Sequence, residues 1–196
     1  MSIDADPIAR FLAAFEKAKT IEPHDATAMT LATADARGRP SARVVLLKSV
    51  DARGFSFYTN FGSRKAKELD ENPFAALCVH WPASLTQVRA EGRVTRVDEV
   101  DADAYFATRP RESQLGAWAS RQSAPLASRE ELEARVREVA AQYPDEVPRP
   151  PFWGGFRLVP DRIEFWYAGA GRLHDRFVYT RAPTSSDGWT IDRLNP

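Results

Sequence analysis

Histidine and cysteine are scarce in this 196-residue chain, which has three histidines (His24, His80 and His174) and the single cysteine Cys78. One thiol cannot close a disulfide within the chain. In the apolar run Phe74-Ala-Ala-Leu-Cys-Val79 it reads as a buried structural group, not a nucleophile. Three scattered histidines without paired spacing, and no cysteine cluster, leave no metal-ligand pattern, so no metal site is expected. Neither sign of charge is in excess. The 27 Lys and Arg balance 27 Asp and Glu, so no global field draws the chain to nucleic acid or a membrane surface. Any anion recognition must then come from local clusters, and aromatic side chains are weak candidates for nucleic-acid stacking platforms. No apolar run approaches the ~20 residues that cross a bilayer, and no basic-then-apolar leader opens the chain. The expectation is a soluble, cytoplasmic protein. No glycine-rich strand-to-helix loop suggests a Rossmann or Walker phosphate cradle, and no nucleophile elbow suggests a hydrolase.

What is present is strand-forming sequence bracketed by helices. Asp6-Pro7 reads as an N-cap with proline in the first turn, and Ile8, Phe11, Leu12 and Phe15 follow at helical spacing. Short apolar, aromatic or β-branched runs predict strands over 28–33, 42–49 and 55–59. Asp35-Ala-Arg-Gly38 and Asp51-Ala-Arg-Gly54 are turn signals between them. A short helix is predicted after Ser63 and before Pro73, then strands near 74–81 and 87–97. The region 98–142 reads as helical, with the capping-box pattern Ser128-Arg-Glu-Glu131 inside it. Strands return at 155–159, 162–167, 176–181 and 189–194, the last pair turned by Asp187-Gly188. Without a repeat or a long linker, 1–196 reads as a single domain. Its fold class is expected to be mainly β, an antiparallel barrel with flanking helices.

Four clusters could do chemistry. The pentapeptide Arg172-Leu-His-Asp-Arg176 follows Glu164-Phe-Trp166 and crowds two guanidiniums, an imidazole and a carboxylate beside an indole. Such groups suit a flat, anionic, aromatic ligand, because arginine forks bind oxyanions and arginine or tryptophan planes stack on rings. A surface turn with an Asp175–Arg pair would use the same residues. Arg43 and Lys48 bracket Arg-Val-Val-Leu-Leu-Lys, where an odd offset places them on opposite faces of a continuous strand unless a bulge intervenes. Arg64-Lys65 stand at a predicted helix start, where backbone N–H groups favour anions. Tyr105 and Arg109 share a helical face at i, i+4, with Ser113 one step further and Pro110 ending the helix.

These segments, in this order, resemble the pyridoxamine 5′-phosphate oxidase family. The matching pieces are Arg43-Val-Val-Leu-Leu-Lys48, Phe57-Tyr-Thr-Asn60, Gly62-Ser-Arg-Lys-Ala66, Tyr105-Phe, and Arg109-Pro-Arg-Glu-Ser-Gln-Leu-Gly-Ala-Trp118. Ser120-Arg-Gln-Ser123, Phe152-Trp-Gly-Gly-Phe156, Glu164-Phe-Trp166, Arg172-Leu-His-Asp-Arg176 and Ile191-Asp-Arg-Leu194 complete the set. The resemblance implies an FMN-binding split β-barrel homodimer with flavin at the subunit interface. By motif, Arg43, Lys48, Tyr58, Thr59, Arg64, Lys65, Gln87, Gln122, Ser123, Trp166 and Arg176 would contact FMN. Lys48, Tyr105, Arg109 and Ser113 would hold the substrate phosphate, with Arg172 and His174 over the pyridine ring as the catalytic positioning pair. His174 would orient Arg172 or the phosphate, or be a satisfied structural imidazole.

The implied reaction oxidises pyridoxamine or pyridoxine 5′-phosphate to pyridoxal 5′-phosphate with O2. It yields hydrogen peroxide, with ammonia from the amine. The chain departs from the family's usual pattern at Tyr167-Ala168, where Gln-Gly is common, at Thr86, where Arg is common, and in a short N-terminal segment. Two other readings stay open: a flavin oxidase of phenazine-precursor type, and a non-catalytic flavin-binding module.

Overall fold

The computed structural model describes residues 5–182 and 188–196. Helix α1 (Pro7–Ile21) starts as its sequence dictates: the Asp6 carboxylate accepts the Ile8 N–H at 2.8 Å, and Pro7 occupies the first turn. Strands β1 (Ala28–Ala34), β2 (Pro40–Leu46), β3 (Ser49–Asp51) and β4 (Gly54–Asn60) follow. The two Asp-Ala-Arg-Gly turns close alike. Asp35 Oδ1 accepts the Arg37 N–H at 2.9 Å, and Asp51 Oδ1 accepts the Arg53 N–H at 2.8 Å. Gly54 is required at the second turn: its φ is +127°, and an added Cβ would lie 2.0 Å from the Leu158 carbonyl oxygen.

The chain continues through α2 (Arg64–Glu71), β5 (Phe74–Trp81) and β6 (Thr86–Arg96). The stretch expected as helical over 98–142 is three helices, α3 (Glu99–Ala107), α4 (Arg111–Ala119) and α5 (Arg129–Gln142). Pro110 restarts the chain as the N-cap of α4, and Ser128 caps α5 by accepting the Glu131 N–H at 3.3 Å. Strand β7 (Trp153–Tyr167) is continuous where two strands were expected. A bulge in β7 opposite Glu91/Gly92 leaves Asp161 without a register partner, next to Pro160, which has no N–H to give the ladder. A 3-10 turn (Ala170–Arg172) leads to β8 (Asp175–Arg181) and β9 (Trp189–Leu194). Of the expected Asp187-Gly188 turn, Asp187 lies outside the described residues.

All strand pairs are antiparallel, in the order β2-β1-β5-β6-β7-β4-β3, with β8 on β7 and β9 on β8. Strand β7 is the fork. One edge pairs with β6 along its length; on the other, the first half pairs with β4 and the second half with β8. The result is the expected split-barrel class, a curled antiparallel half-barrel with flanking helices. Its core is aromatic and aliphatic, including Phe11, Phe55, Phe57, Trp81, Leu158, Ile163 and Phe165. Each such side chain contributes about 1.5–3 kcal/mol on burial. A smaller cluster of Phe106, Leu115, Ala117, Val147 and Trp153 seats the helices on the β4/β7 end. Arg10 ties α1 to the other end: its guanidinium lies 4.7 Å from the Phe165 and Phe177 ring centres and donates to the Tyr167 and Tyr179 hydroxyls at 3.2 and 2.8 Å. Among the described residues no helix is long and apolar enough to cross a membrane.

Candidate active site

Strands β2 and β4, helices α2, α3 and α4, and the loop after α4 enclose a cavity of about 1000 Å3. Eleven of the expected site residues line it: Arg43, Lys48, Tyr58, Thr59, Arg64, Lys65, Tyr105, Arg109, Ser113, Gln122 and Ser123. Arg43 and Lys48 both reach it, which corrects the parity expected of one strand. The Leu47 N–H bonds to the Thr27 carbonyl beside β1, whereas the Lys48 N–H bonds to the Ser56 carbonyl of β4. At that switch of partner the alternation starts again, with Leu47 buried in the core.

One wall is a cationic cradle. Arg43 donates to the Leu31 carbonyl at 3.2 Å, to Thr33 Oγ1 at 2.6 Å and to Ser41 Oγ, which fixes its fork. Arg64 Nε donates to Glu68 Oε1 at 2.8 Å, and the buried Lys65 Nζ donates to Thr59 Oγ1 at 3.0 Å. Burial, and then the nearby Arg43 charge, depress the Lys65 pKa. Among the described residues Glu68, 5% exposed, is the single carboxylate paired with these cations. Burial alone would raise its pKa, but hydrogen bonds from Ser41, Thr33 and Arg64 and the charge of Arg43 hold it at about 2. Three cations against one anion leave the cradle with two surplus positive charges, the complement of a phosphomonoester dianion. Gln122 and Ser123 come from a loop that satisfies the start of α2. Ser123, at φ +71°, accepts the Arg64 N–H at 3.2 Å, where the N-cap Ser63 makes no side-chain cap. Gln122 Oε1 accepts from Thr59 Oγ1 at 2.9 Å.

The opposite wall is aromatic. The Tyr58 and Tyr105 rings stack at 4.2 Å, and Trp153 lies parallel to Tyr58 at 5.5 Å. Burial first, then the Asp101 charge, raises the Tyr58 pKa, so its hydroxyl stays protonated at neutral pH. Arg109 is not on the helix with Tyr105, as the i, i+4 spacing suggested; it lies past the end of α3, and Ser113 is in the first turn of α4. All three still line the cavity, because the helix break folds the chain back on itself. The Arg109 guanidinium sits 4.6 Å from the Trp153 ring centre, and its Nη1 is buried with no hydrogen-bond partner among the described residues. Burial depresses the Arg109 pKa. A buried cationic donor without an acceptor is costly unless an anion meets it.

Gln87, Trp166, Arg172, His174 and Arg176 do not line this cavity within one chain. Gln87, Trp166 and Arg176 instead form a row across β6, β7 and β8, each directly opposite the next. The His174 ring lies 4.5 Å from Trp166, and its Nδ1 accepts the Gly169 N–H at 3.2 Å, so the neutral ring carries its proton on Nε2. Arg172 is exposed and left-handed at φ +65°, a backbone state uncommon outside glycine and enriched at functional positions. Asp175 pairs with Arg193 of β9, not with an arginine of its own turn. Sequence reading gave no role to Ser41, Glu68, Trp153 or Glu164. The one local signal among these was the Arg64–Glu68 i, i+4 pair; the others become neighbours of the site only through strand pairing.

The protein is similar to known sequences along nearly its whole length. Residues 15–143 match the family model described as pyridoxamine 5′-phosphate oxidase, and residues 153–196 match the pyridoxine 5′-phosphate oxidase C-terminal dimerisation region. It is 63% identical over 192 residues to a pyridoxine/pyridoxamine 5′-phosphate oxidase of Anaeromyxobacter dehalogenans, covering 97% of this chain and 96% of the relative. It is 58% identical to the enzyme of that name from Myxococcus xanthus, covering 99% and 93%. Among solved structures, PhzG from Burkholderia lata 383, in complex with tetrahydrophenazine-1-carboxylic acid, superposes with a TM-score of 0.89 at 34% identity. That match covers 98% of this chain and 94% of PhzG. An FMN-binding protein of Nostoc punctiforme shares the fold at a TM-score of 0.79, 20% identity and full coverage of both chains.

Proposed function

The chain belongs to the pyridoxamine 5′-phosphate oxidase family, and from that premise we propose that it is an FMN-dependent oxidase making pyridoxal 5′-phosphate. Its substrates would be pyridoxamine 5′-phosphate, pyridoxine 5′-phosphate or both. The observation that carries this reading is a single cavity lined by two sets of cations: the Arg43/Arg64/Lys65 cradle, and Arg109, whose Nη1 has no hydrogen-bond partner among the described residues, with Lys48 and Ser113 in the same lining. A flavin phosphate and a substrate phosphate would satisfy one each, with flat rings between them against Tyr58 and Tyr105. The donor set therefore fits FMN.

FMN, when bound, would supply the redox chemistry, taking a hydride from the substrate carbon that bears the amine or hydroxyl and passing the electrons to O2 as hydrogen peroxide. The protein's part is placement. Arg43, Arg64 and Lys65 would bind the flavin phosphate, with Thr59, Gln122 and Ser123 as neutral donors and acceptors around it. Arg109, Tyr105 and Ser113 would hold the substrate phosphate, and Lys48, 6.0 Å from the Tyr105 ring centre, would bridge the two ligands. Each charge-assisted bond contributes about 1.5–3 kcal/mol net, and a fixed reacting distance removes much of the entropic barrier. Gln87, Trp166 and Arg176 would meet the flavin, and Arg172 and His174 the pyridine ring, from the second protomer of a homodimer. The match of residues 153–196 to a dimerisation region supports that arrangement, as does the separation of this group from the cavity in one chain.

Purified protein should be yellow, and pyridoxamine 5′-phosphate should bleach its flavin when oxygen is excluded. Bound FMN that neither phosphorylated vitamer bleaches would refute the oxidase and leave a flavin-binding module. The likeness to PhzG gives a second reading, oxidation of a phenazine-type precursor. Turnover of a dihydrophenazine carboxylate above that of the vitamers would favour it, whereas the unpaired Arg109 guanidinium in the cavity favours a phosphorylated vitamer.

A further inference from the structure

Glu164 is a charged side chain at the centre of the sheet, 3% exposed and close to three arginines. Its Oε1 accepts from Arg176 Nε at 2.8 Å and lies 2.8 Å from Arg176 Nη2. Its Oε2 accepts from Arg89 Nη2 at 2.5 Å and lies 3.5 Å from Arg162 Nη2. Strand pairing dictates this: Arg89 stands directly opposite Glu164 on β6, while Arg176 stands opposite Trp166, two residues along β7 on the same face. The remaining end of the Arg176 fork is held by the Asn195 carbonyl, which accepts from Nη1 at 3.0 Å. Arginine has five N–H donors; these three contacts leave two, on the terminal nitrogens.

We infer that Glu164 is the positioning residue for Arg176, aiming the free edge of its guanidinium at the flavin while Trp166 presents its ring beside it. The inference rests on the reading of Arg176 as a flavin contact. A long, rotamer-rich side chain loses binding energy whenever it must be ordered by its ligand. Glu164 and the Asn195 carbonyl order it beforehand, and burial of the carboxylate keeps water from competing for the fork. Burial by itself would disfavour the charged carboxylate, but hydrogen bonds from Arg176 and Arg89 reverse this and lower its pKa. It therefore stays ionised through the working pH range.

A carboxylate that merely tied the strands together would affect flavin binding whether or not residue 176 could use its orientation. The discriminating experiment is therefore a double-mutant cycle on the full chain, reading FMN affinity by flavin fluorescence quenching. Glu164→Gln should weaken FMN binding tenfold or more with Arg176 present and less than twofold in the Arg176→Ala background. Glu164→Asp, which keeps the charge but retracts it by one methylene, should show a smaller loss with the same dependence on Arg176, and it decides the matter if the glutamine variant does not fold. Equal weakening in both backgrounds, or none in either, overturns the inference while leaving the proposed function standing. If Arg176→Ala binds FMN as tightly as the unaltered protein, the assignment of Arg176 to the flavin fails, and the inference with it.

Discussion

Replacing Arg109 by Met separates function from stability, because the structure gives this residue no acceptor of its own. Among the described residues its Nη1 is buried and unpaired, and its guanidinium lies over the Trp153 ring at 4.6 Å and the Phe106 ring at 5.5 Å. If Arg109 holds the substrate phosphate as proposed, removing the guanidinium should delete about 1.5–3 kcal/mol of binding for each charge-assisted bond it makes. At ~1.4 kcal/mol per tenfold, that is a drop in kcat/KM of about 10- to 150-fold for pyridoxamine 5′-phosphate. Any turnover of unphosphorylated pyridoxamine should hardly change, nor should FMN affinity. Stability should move the other way or not at all. An unsatisfied buried donor costs about 1–3 kcal/mol, and the cation–π contact returns about 0.5–2 kcal/mol. The variant should therefore melt at the same temperature or a few degrees higher, at about 2–4 °C per kcal/mol for a chain of this size. Steady-state kinetics on the two substrates and a thermal melt without substrate check both halves. Equal losses on both substrates, or a melt lowered by more than ~5 °C, would show that Arg109 supports the fold and does not read a phosphate.

Acid should expose Glu68. Its folded pKa, held down at about 2 from an ordinary 4.5, means its contribution is complete above pH 4.5 and fades as pH falls toward 2, at most ~3 kcal/mol. Urea titrations at pH 5 and 2.5 should show a smaller acid loss in Glu68→Gln than in the unaltered chain; identical losses would refute the linkage. Gly54→Ala should cost more than about 3 kcal/mol, seen as a large fall in denaturant midpoint or loss of soluble protein, because its methyl group would strike the Leu158 carbonyl. A near-native midpoint would contradict that clash. Arg10→Ala removes the guanidinium from among Phe165, Tyr167, Phe177 and Tyr179 and should destabilise the protein by about 2–4 kcal/mol. The corresponding melt should drop by roughly 5–15 °C.

The Arg10 contact also gives structural meaning to one departure from the family pattern. Tyr167 uses its hydroxyl to accept from Arg10 of α1 at 3.2 Å. It faces the helix and the C-terminal strands, not the cavity.

Local chemistry was enough to place most elements. The Asp6-Pro7 cap, the two Asp-Ala-Arg-Gly turns and the run Phe74–Trp81 each declare themselves within a few residues, because capping, turn dihedrals and side-chain periodicity are short-range effects. Errors fell where a long-range partner overrides the local period. Residues 42–49 alternate as one strand until Lys48 exchanges the β1 side for β4. Residues 155–167 read as two strands, but a β7 bulge at Asp161 lets the ladder with β6 run on past Pro160. The ordered motifs likewise identified the family, and eleven of the sixteen residues they pointed to line one cavity. Only the tertiary structure decided how they divide: Arg43 meets Glu68 from 25 positions away, Arg109 rests on Trp153, and the Trp166–Arg176 row lies outside the cavity lining of its own chain. Those groupings follow from which strand edges pair and where β7 forks, and such pairing is a property of the whole sheet that no short window of residues encodes.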